Sequence, residues 1–222
     1  MSIPKNAVWV VRKILELRKL ILDLPTMQGD LTSRLMKLQS NDGRFSIKKL
    51  YQMQFPQNQK VHWKSLILQP HIYPRHKFNL WPAVQDRLPT VERLQKIGIQ
   101  VPQACVFCGL ADEYFEHLFF GCYYTKNILQ RLLNWLSCPR QINTCQEGVK
   151  WVTTCARKNK GFGTIVSAVF GMMVYLIWRN MNKIRFQSGS SFLDRMYRET
   201  AIHIHIRGNS YLSWQKHLEA LD

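Results

Sequence analysis

The sequence predicts a mostly α-helical protein with a small metal-binding loop near its middle. Two observations carry this prediction. Apolar residues recur at helical spacing along most of the chain, as in Tyr123 to Leu136, rather than in the alternation typical of strands. Three cysteines and one histidine also fall within the stretch from Cys105 to Cys122. The chain has 222 residues, of which 46% are hydrophobic, so it can form one core, with or without an appended helical segment.

The stretch CVFCGLADEYFEHLFFGC contains four residues at the spacing of a metal site. Cys105 and Cys108 are separated by two residues, and His117 and Cys122 follow. Three thiolates and one imidazole select zinc over magnesium or calcium, which prefer oxygen ligands. Four such donors take all four coordination positions of a tetrahedral zinc ion and leave none for a reactive water. The spacing therefore predicts one structural Zn²⁺ rather than a catalytic one.

The same residue types also occur in redox sites and in catalytic sites. Two cysteines at this spacing can form a redox pair or can simply be buried, but no βαβ pattern flanks them. A zinc deaminase needs a His-x-Glu motif before its cysteine pair, and the order here is different. The carboxylates of Asp112, Glu113 and Glu116 suggest hydrolysis, but acidic residues are also expected at a helix N-terminus. We therefore expect no enzymatic activity.

Charge and cysteine content indicate the kind of partner and compartment. Lys and Arg number 31 against 14 Asp and Glu, a net charge of +17, which favours nucleic acid over an anionic membrane as partner. A basic protein without such a partner is the alternative. Cys138, Cys145 and Cys155 remain beside the predicted zinc site, and with no secretory signal they indicate a reducing intracellular compartment, nucleus or cytoplasm, without excluding an organelle.

Helices are predicted along the N-terminal half from apolar spacing and capping residues. The predicted helices cover Val8 to Leu22, Asp30 to Gln39, Ser46 (as N-cap) to Met53, and Val61 to Leu68. The segment His76 to Leu88 places apolar side chains on one face, and Pro82 inside it predicts a kink or a delayed start. That face consists of Phe78, Trp81, Val84 and Leu88.

Further helices are predicted towards the C-terminus. Thr90 caps a helix that passes Leu94 and Ile97 and ends at Gly98, and Asp112 caps a short helix carrying His117. The remaining predicted helices are Tyr123 to Leu136, Gln146 to Lys158, Thr164 to Phe186 and Phe192 to Ile206, with a hinge at residues 158–163. The most apolar run, Thr164 to Trp178, has about 15 residues and is shorter than a membrane span needs, so we expect a buried helix and no membrane partner.

Several motifs in one order resemble a known family. They are the Gly-Phe-Ser-like element Asp42 to Lys48, the segment HKFNLW (His76 to Trp81), RLPTVERL (Arg87 to Leu94) and the complete Cys/His stretch. Together they resemble the zinc-binding domain that follows the reverse transcriptase in plant LINE-type (non-LTR) retrotransposons. Pro82 and a shortened segment between Leu22 and Asp42 depart from the family pattern.

The resemblance implies a domain organisation and an origin. It implies an N-terminal helical flank at residues 1–41, a reverse-transcriptase-type zinc-binding domain at 42–137 and a C-terminal helical extension at 138–222. The sequence contains no Tyr-x-Asp-Asp polymerase motif, no endonuclease and no RNase H carboxylate cluster. The chain therefore looks like a detached or domesticated copy of the domain, without catalytic machinery of its own.

The first functional hypothesis is an RNA- or single-stranded-DNA-binding module, in which aromatic side chains stack on bases and basic side chains contact phosphates. Phe107 is the aromatic residue expected to be exposed, whereas Phe115, Leu118 and Phe119 are expected to pack in the core. The alternative is a zinc-stabilised protein-interaction module, for which a protein partner is expected. The predicted nucleic-acid-binding residues are Arg87, Arg93, Lys96, Phe107, Tyr123, Tyr124, Lys126 and Arg131.

Overall fold

The structure is a computed structural model that describes Glu16 and residues 29–40, 42–54, 61–190 and 193–221. The helix predicted from Val8 to Leu22 lies outside the described residues except for Glu16. The chain divides into two compact units, residues 1–60 and 61–222. The predicted boundary between residues 137 and 138 therefore lies inside the second unit.

The first unit contains two short helices where the sequence predicts them. Helix α1 is Leu31–Lys37, and its N-cap Asp30 accepts a hydrogen bond from the Ser33 backbone N–H. Helix α2 is Ile47–Gln54, and the Ser46 hydroxyl accepts a hydrogen bond of 3.2 Å from the Lys49 N–H. Both side chains satisfy N–H groups that have no partner within their own helix, as N-cap residues do.

The second unit consists of helices joined by short loops. Among the described residues no strand occurs, and the β-type pairings are two isolated bridges, Gln39–Phe45 in the first unit and Ala104–Asp112 in the second. A five-residue π-helical turn, His117–Gly121, precedes α6. The helices of this unit are α3 Lys64–Ile67, α4 Pro74–Ala83, α5 Val91–Lys96, α6 Tyr123–Trp135, α7 Cys145–Lys158, α8 Phe162–Gln187, α9 Leu193–Gly208 and α10 Leu212–Leu218.

Helix α8 forms the centre of the core. Its 26 residues are long and apolar enough to cross a membrane by length and composition, but 78% of its most apolar stretch is buried within the protein. It packs against α4, α6, α7, α9 and α10. The prediction of a buried helix is confirmed. The segment predicted as a C-terminal extension thus supplies the core against which the helices around the Cys/His stretch pack.

Helix α4 does not bury all of the apolar residues that the sequence places on one face. Phe78 and Trp81 are 79% and 53% exposed, whereas His76, Leu80 and Ala83 are buried. The helix ends at Ala83, so Leu88 lies beyond it, and Pro82 stands in its last turn. The apolar residues Phe78 and Trp81 thus face solvent, because α4 contacts α8 through Leu80, near the small Gly171.

The predicted hinge at residues 158–163 is a tight turn. The Asn159 carboxamide oxygen accepts hydrogen bonds from the Gly161 and Phe162 N–H groups, and α8 begins at once. A Cβ atom on Gly163 would collide with the Cys155 carbonyl oxygen, so the ends of α7 and α8 are in close contact. The sequence analysis also missed α10, whose buried Trp214 donates a 2.7 Å hydrogen bond to the Thr164 hydroxyl.

Buried His76 gives a prediction for the pH dependence of stability. Burial, with the nearby charges of Arg75, His203, Arg179 and Arg207, lowers the pKa of His76 from 6.5 to about 4. The neutral imidazole is therefore favoured in the folded state, and the unfolded chain takes up the proton first as the pH falls. We expect this residue to reduce the free energy of unfolding between about pH 6.5 and pH 4.

The measurement compares urea unfolding of the wild type and of His76→Gln at several pH values in this range. The difference between the two proteins isolates His76 from other groups that titrate there, including zinc ligands. We expect the wild type to lose more stability than the variant on acidification. Parallel pH profiles for the two proteins would show that His76 is protonated equally easily in the folded and unfolded states.

Candidate metal centre

A short hairpin holds the first two cysteines. The Cys105 N–H donates to the Ala111 carbonyl and the Glu113 N–H donates to the Gln103 carbonyl, both at 2.8 Å. Between them the chain reverses through Gly109, whose φ of +65° lies in the left-handed region that glycine adopts without strain. The hairpin places the Cys105 and Cys108 side chains on one tight turn, as the Cys-x₂-Cys spacing predicts.

The π-helical turn places the other two candidate ligands. In an α-helix, side chains five residues apart diverge by about 140° around the axis. The Cys122 N–H instead donates to the His117 carbonyl at 2.6 Å, an i→i+5 bond that widens the turn and brings both side chains to one side. The predicted N-cap role of Asp112 is wrong: Asp112 pairs with Ala104 in the hairpin, and the helical segment starts at Phe115.

The four side chains form one compact group. The sulfur atoms of Cys105, Cys108 and Cys122 and a ring nitrogen of His117 all lie within 4.8 Å of one another. The Cys108 Sγ and His117 Nε2 atoms are 3.4 Å apart. Zinc–sulfur and zinc–nitrogen bonds of about 2.3 and 2.0 Å put tetrahedral ligand atoms about 3.5–3.8 Å apart. The group therefore fits one tetrahedral zinc ion with small side-chain adjustments.

Backbone N–H groups surround the three sulfur atoms in pairs. Cys105 accepts hydrogen bonds from the N–H groups of Phe107 and Cys108, and Cys108 accepts from those of Leu110 and Ala111. Cys122 accepts from Tyr124 and Thr125, at the start of α6. Such donors stabilise negative charge on sulfur, so the loop is arranged for thiolates rather than for thiols.

The pKa values of the three cysteines differ because their surroundings differ. Burial raises the pKa of the Cys105 thiol to about 12 and also raises that of Cys122. Burial acts in the same direction on Cys108, but hydrogen bonds from the Leu110 N–H, the His117 ring and the Ala111 N–H outweigh it and lower the Cys108 pKa to about 6. A bound zinc ion takes the place of the protons on such thiols.

A buried ion pair connects the hairpin to the core helix. Glu113 and Arg185, near the end of α8, are 2.8 Å apart, and their side chains are 0% and 4% exposed. The Arg185 guanidinium also donates to the carbonyl oxygens of Pro102 and Ala104, which precede the first ligand. The sequence analysis regarded Glu113 as an acidic residue of a helix start and missed this role, because its partner is 72 residues away.

Glu116 stabilises a second helix. Its carboxylate accepts hydrogen bonds from the Cys145 N–H at 3.1 and 3.3 Å, at the first residue of α7. Carboxylates interact favourably with the positive end of a helix dipole. Burial raises the pKa of Glu116, with a smaller opposing effect from the Cys145 N–H. Neither Glu113 nor Glu116 offers an atom to the four-ligand group; both carboxylates attach the loop to neighbouring helices.

The predicted core positions beside the ligands are confirmed, and the aromatic residues proposed for stacking fall into two groups. Phe115, Leu118 and Phe119 are buried. Tyr123 is 64% exposed. Phe107 is half-buried rather than exposed, and its ring is parallel to that of Tyr124, with the ring centres 5.2 Å apart.

The predicted basic residues differ in their surroundings. Arg93 pairs with Asp86, Lys96 with Glu92, and Arg131 with Asp194. Arg87 and Lys126 are exposed. An open groove of about 480 Å³ beside the start of α6 is lined by Tyr123 and Lys126 and also by Arg140, which the sequence analysis did not select. The lining residues of this groove, all in the described part of the chain, include no carboxylate.

Comparison with known proteins finds a family that matches part of the chain. Residues 45–128 match the family described as zinc-binding in reverse transcriptase. The match includes all four candidate ligands and ends within α6, so α7 to α10 lie outside it. No curated protein and no solved structure matches the chain.

Proposed function

From the zinc-binding domain of reverse-transcriptase type at residues 45–128, we propose that this chain is a non-catalytic module that binds RNA or single-stranded DNA. We further propose that it derives from a LINE-type element. A reducing compartment suits it, because thiols must stay unoxidised to bind zinc. The observation that carries the proposal is the groove beside α6, which is lined by Lys126 and Arg140 and by no carboxylate and adjoins the zinc loop through Cys122 and Tyr123.

The groove offers the two contacts that single-stranded nucleic acid requires. Lys126 and Arg140 supply positive charge for phosphates, and the exposed ring of Tyr123 supplies a face on which a base can stack. The amide side chains of Asn127, Gln130 and Gln141 line the same groove and can hydrogen-bond to base edges or sugars. The net charge of +17 adds a long-range attraction that brings a polyanion to the surface.

The chemistry of the metal group supports a non-catalytic role. Three thiolates and one imidazole would occupy all four positions of a tetrahedral zinc ion, which would leave no place for a water nucleophile. The nearby carboxylates of Glu113 and Glu116 are engaged by Arg185 and by the N-terminus of α7. The zinc ion would hold the loop and the start of α6 in place beside the groove.

The test measures binding of labelled 20-nucleotide RNA and DNA single strands by fluorescence anisotropy at several salt concentrations. We expect the double variant Lys126→Gln/Arg140→Gln to lower the slope of log affinity against log salt by about 1.4, about 0.7 for each lost phosphate contact. Tyr123→Ala should weaken binding about 5- to 150-fold, the equivalent of ~1–3 kcal/mol of stacking.

The matched control is Arg157→Gln/Lys158→Gln, which removes the same charge from the exposed end of α7. We expect this control to keep the wild-type slope apart from a small general effect. Equal losses of salt slope in the control and in the Lys126/Arg140 variant would show that only the net charge of the protein matters. A wild-type protein that binds neither strand at low salt would contradict the proposal.

A protein-interaction module is the second candidate function, and a specific observation favours it. Phe78 and Trp81 stand one turn apart on α4 and leave a large aromatic area exposed. Exposed apolar patches of this kind are typical of protein contacts. If the protein binds no nucleic acid while Phe78→Ser/Trp81→Ser abolishes co-purification of a specific partner, this second function would replace the first.

A further inference from the structure

A second groove lies between α8 and α9, away from the family match. Its volume is about 1100 Å³, and residues of α4, α8 and α9 line it. From the charges and rings on its walls, we infer that this groove is a second binding site for single-stranded nucleic acid. The inference rests on the proposed function and extends it to the C-terminal helices, which residues 45–128 do not include.

The charges of the groove leave three cations available. Two carboxylates also line it, but Glu199 binds Arg179 through two hydrogen bonds of 2.7 Å, and Asp194 pairs with Arg131 of α6 at 2.6 Å. The other Lys and Arg residues of the groove are Lys183, Arg195 and Arg198, all exposed. Arg195 and Arg198 lie near enough to Glu199 and Asp194 to lower the pKa of those carboxyls, but in the described part of the chain no ion pair joins any of the three cations to a carboxylate. Three such cations along one groove suit successive phosphates of a strand.

An aromatic and amide-bearing surface lies beside these cations. The half-buried Trp178 and Tyr175 line the groove from α8, together with Asn182 and with Asn79 of α4. The Tyr175 ring is already covered by the guanidinium groups of Arg75 and Arg179, at 5.5 and 5.6 Å from its centre. Among the described residues no guanidinium group covers Trp178 in this way, so its indole is the ring on which we expect a base to stack.

These features favour nucleic acid over an acidic peptide as the occupant. A peptide carboxylate would be satisfied by Lys183, Arg195 and Arg198 alone and would make no use of an indole face or of amide side chains. A nucleotide uses all three kinds of group, because it combines a phosphate, a planar base and hydrogen-bonding base edges. The inference is therefore that phosphates lie along α9 and that a base contacts Trp178.

The experiment uses the complete chain and the same labelled RNA and DNA 20-mers at several salt concentrations. The variant is Lys183→Gln/Arg195→Gln/Arg198→Gln, and its matched control is Arg157→Gln/Lys158→Gln/Lys160→Gln, an equal loss of exposed charge. We expect the Lys183/Arg195/Arg198 variant to bind on the order of tenfold more weakly at 100 mM salt, with a salt slope lower by about 2. The control should retain the wild-type slope.

A second variant separates stacking from charge. We expect Trp178→Leu to weaken binding of both strands about fivefold or more, and Trp178→Phe to restore most of it because a ring is again present. Thermal melting of each variant identifies loss of folding, since Trp178 also contacts the core. Equal binding by the Leu and Phe variants would overturn the stacking contact.

The outcomes distinguish this inference from the proposed function. If the Lys126/Arg140 variant loses binding while the Lys183/Arg195/Arg198 variant keeps the wild-type slope, the proposed function stands and the second site is overturned. If the wild type binds neither the RNA nor the DNA strand, both the proposed function and the second site are overturned. If poly-glutamate of equal charge displaces the 20-mers from the Lys126/Arg140 variant as well as unlabelled RNA does, the groove between α8 and α9 selects charge alone and the nucleic-acid inference is overturned.

Discussion

We expect Cys108→Ser to abolish zinc binding and to unfold the loop around the site while the core helix stays folded. Structural zinc contributes on the order of 10 kcal/mol to folding of such sites, which is more than we expect from the loop's other contacts, those of Glu113 and Glu116 and of buried side chains such as Phe119. Cys108 is the ligand of choice because it is only half-buried, so that serine disturbs packing little. Helix α8 contains no ligand and is buried by five other helices.

The measurement is amide hydrogen exchange by mass spectrometry, with and without a zinc chelator. We expect protection at residues 103–122 to fall to that of an unfolded segment, whereas residues 165–177 remain protected. Cys138→Ser is the matched control, since Cys138 is a half-buried cysteine outside the ligand group. Unchanged protection of the loop in Cys108→Ser would show that zinc does not hold it.

The second large effect concerns the buried Glu113–Arg185 pair. We expect Arg185→Met to lower the free energy of unfolding by about 3–5 kcal/mol, because it leaves the carboxylate of Glu113 buried without its counter-charge. The same change removes two hydrogen bonds to the Pro102 and Ala104 carbonyls. Urea unfolding measures the loss, and zinc competition with a colorimetric chelator shows how far the ligand loop is affected.

A double-mutant cycle with Glu113→Gln separates the pair from packing. We expect Glu113→Gln/Arg185→Met to lower the free energy of unfolding by less than the sum of the losses in the two single variants, since no buried charge then remains. Arg179→Met is the matched control, because its partner Glu199 is partly exposed and the pair contributes less. Additive single changes, or an Arg185→Met effect as small as that of Arg179→Met, would contradict the assigned role of this pair.

The metal group could be predicted from sequence because its information is local. Cys105, Cys108, His117 and Cys122 are close in the chain, and their chemistry alone selects zinc. The π-helical turn that brings His117 and Cys122 together left no signal in the apolar spacing. The turn depends on an i→i+5 hydrogen bond, which the pattern of side chains does not reveal.

The errors in the fold come from choices that only tertiary packing decides. Both faces of α4 carry apolar residues, and the buried one was chosen by contact with α8 and not by hydrophobicity, since it includes His76. Likewise, Asp112 has the residue type of an N-cap but pairs with Ala104, because the hairpin extends to that point. Helix α10 was missed, although it is as long as the predicted α1, and its buried Trp214 contacts Thr164, a residue 50 positions away that the local pattern does not reveal.

The partners of charged residues were also invisible to the sequence. The Glu113–Arg185 pair joins positions 72 residues apart, and the pair of Arg131 and Asp194 joins positions 63 apart. Without these pairings, the positive charge of the chain could be counted but not assigned to a surface. Arg195 and Arg198 emerge as candidates only once the carboxylates of their groove are matched to their partners, and Arg140 only once the groove beside α6 is known.

Zinc content combined with X-ray absorption spectroscopy tests the central claim most directly. A bound zinc ion at Cys105, Cys108, His117 and Cys122 predicts one zinc per chain, with three sulfur atoms near 2.3 Å and one nitrogen near 2.0 Å. The Cys108→Ser variant should lose the metal and Cys138→Ser should keep it. A zinc-free wild-type protein, or a zinc ion with fewer than three sulfur ligands and a bound water, would contradict a closed structural site.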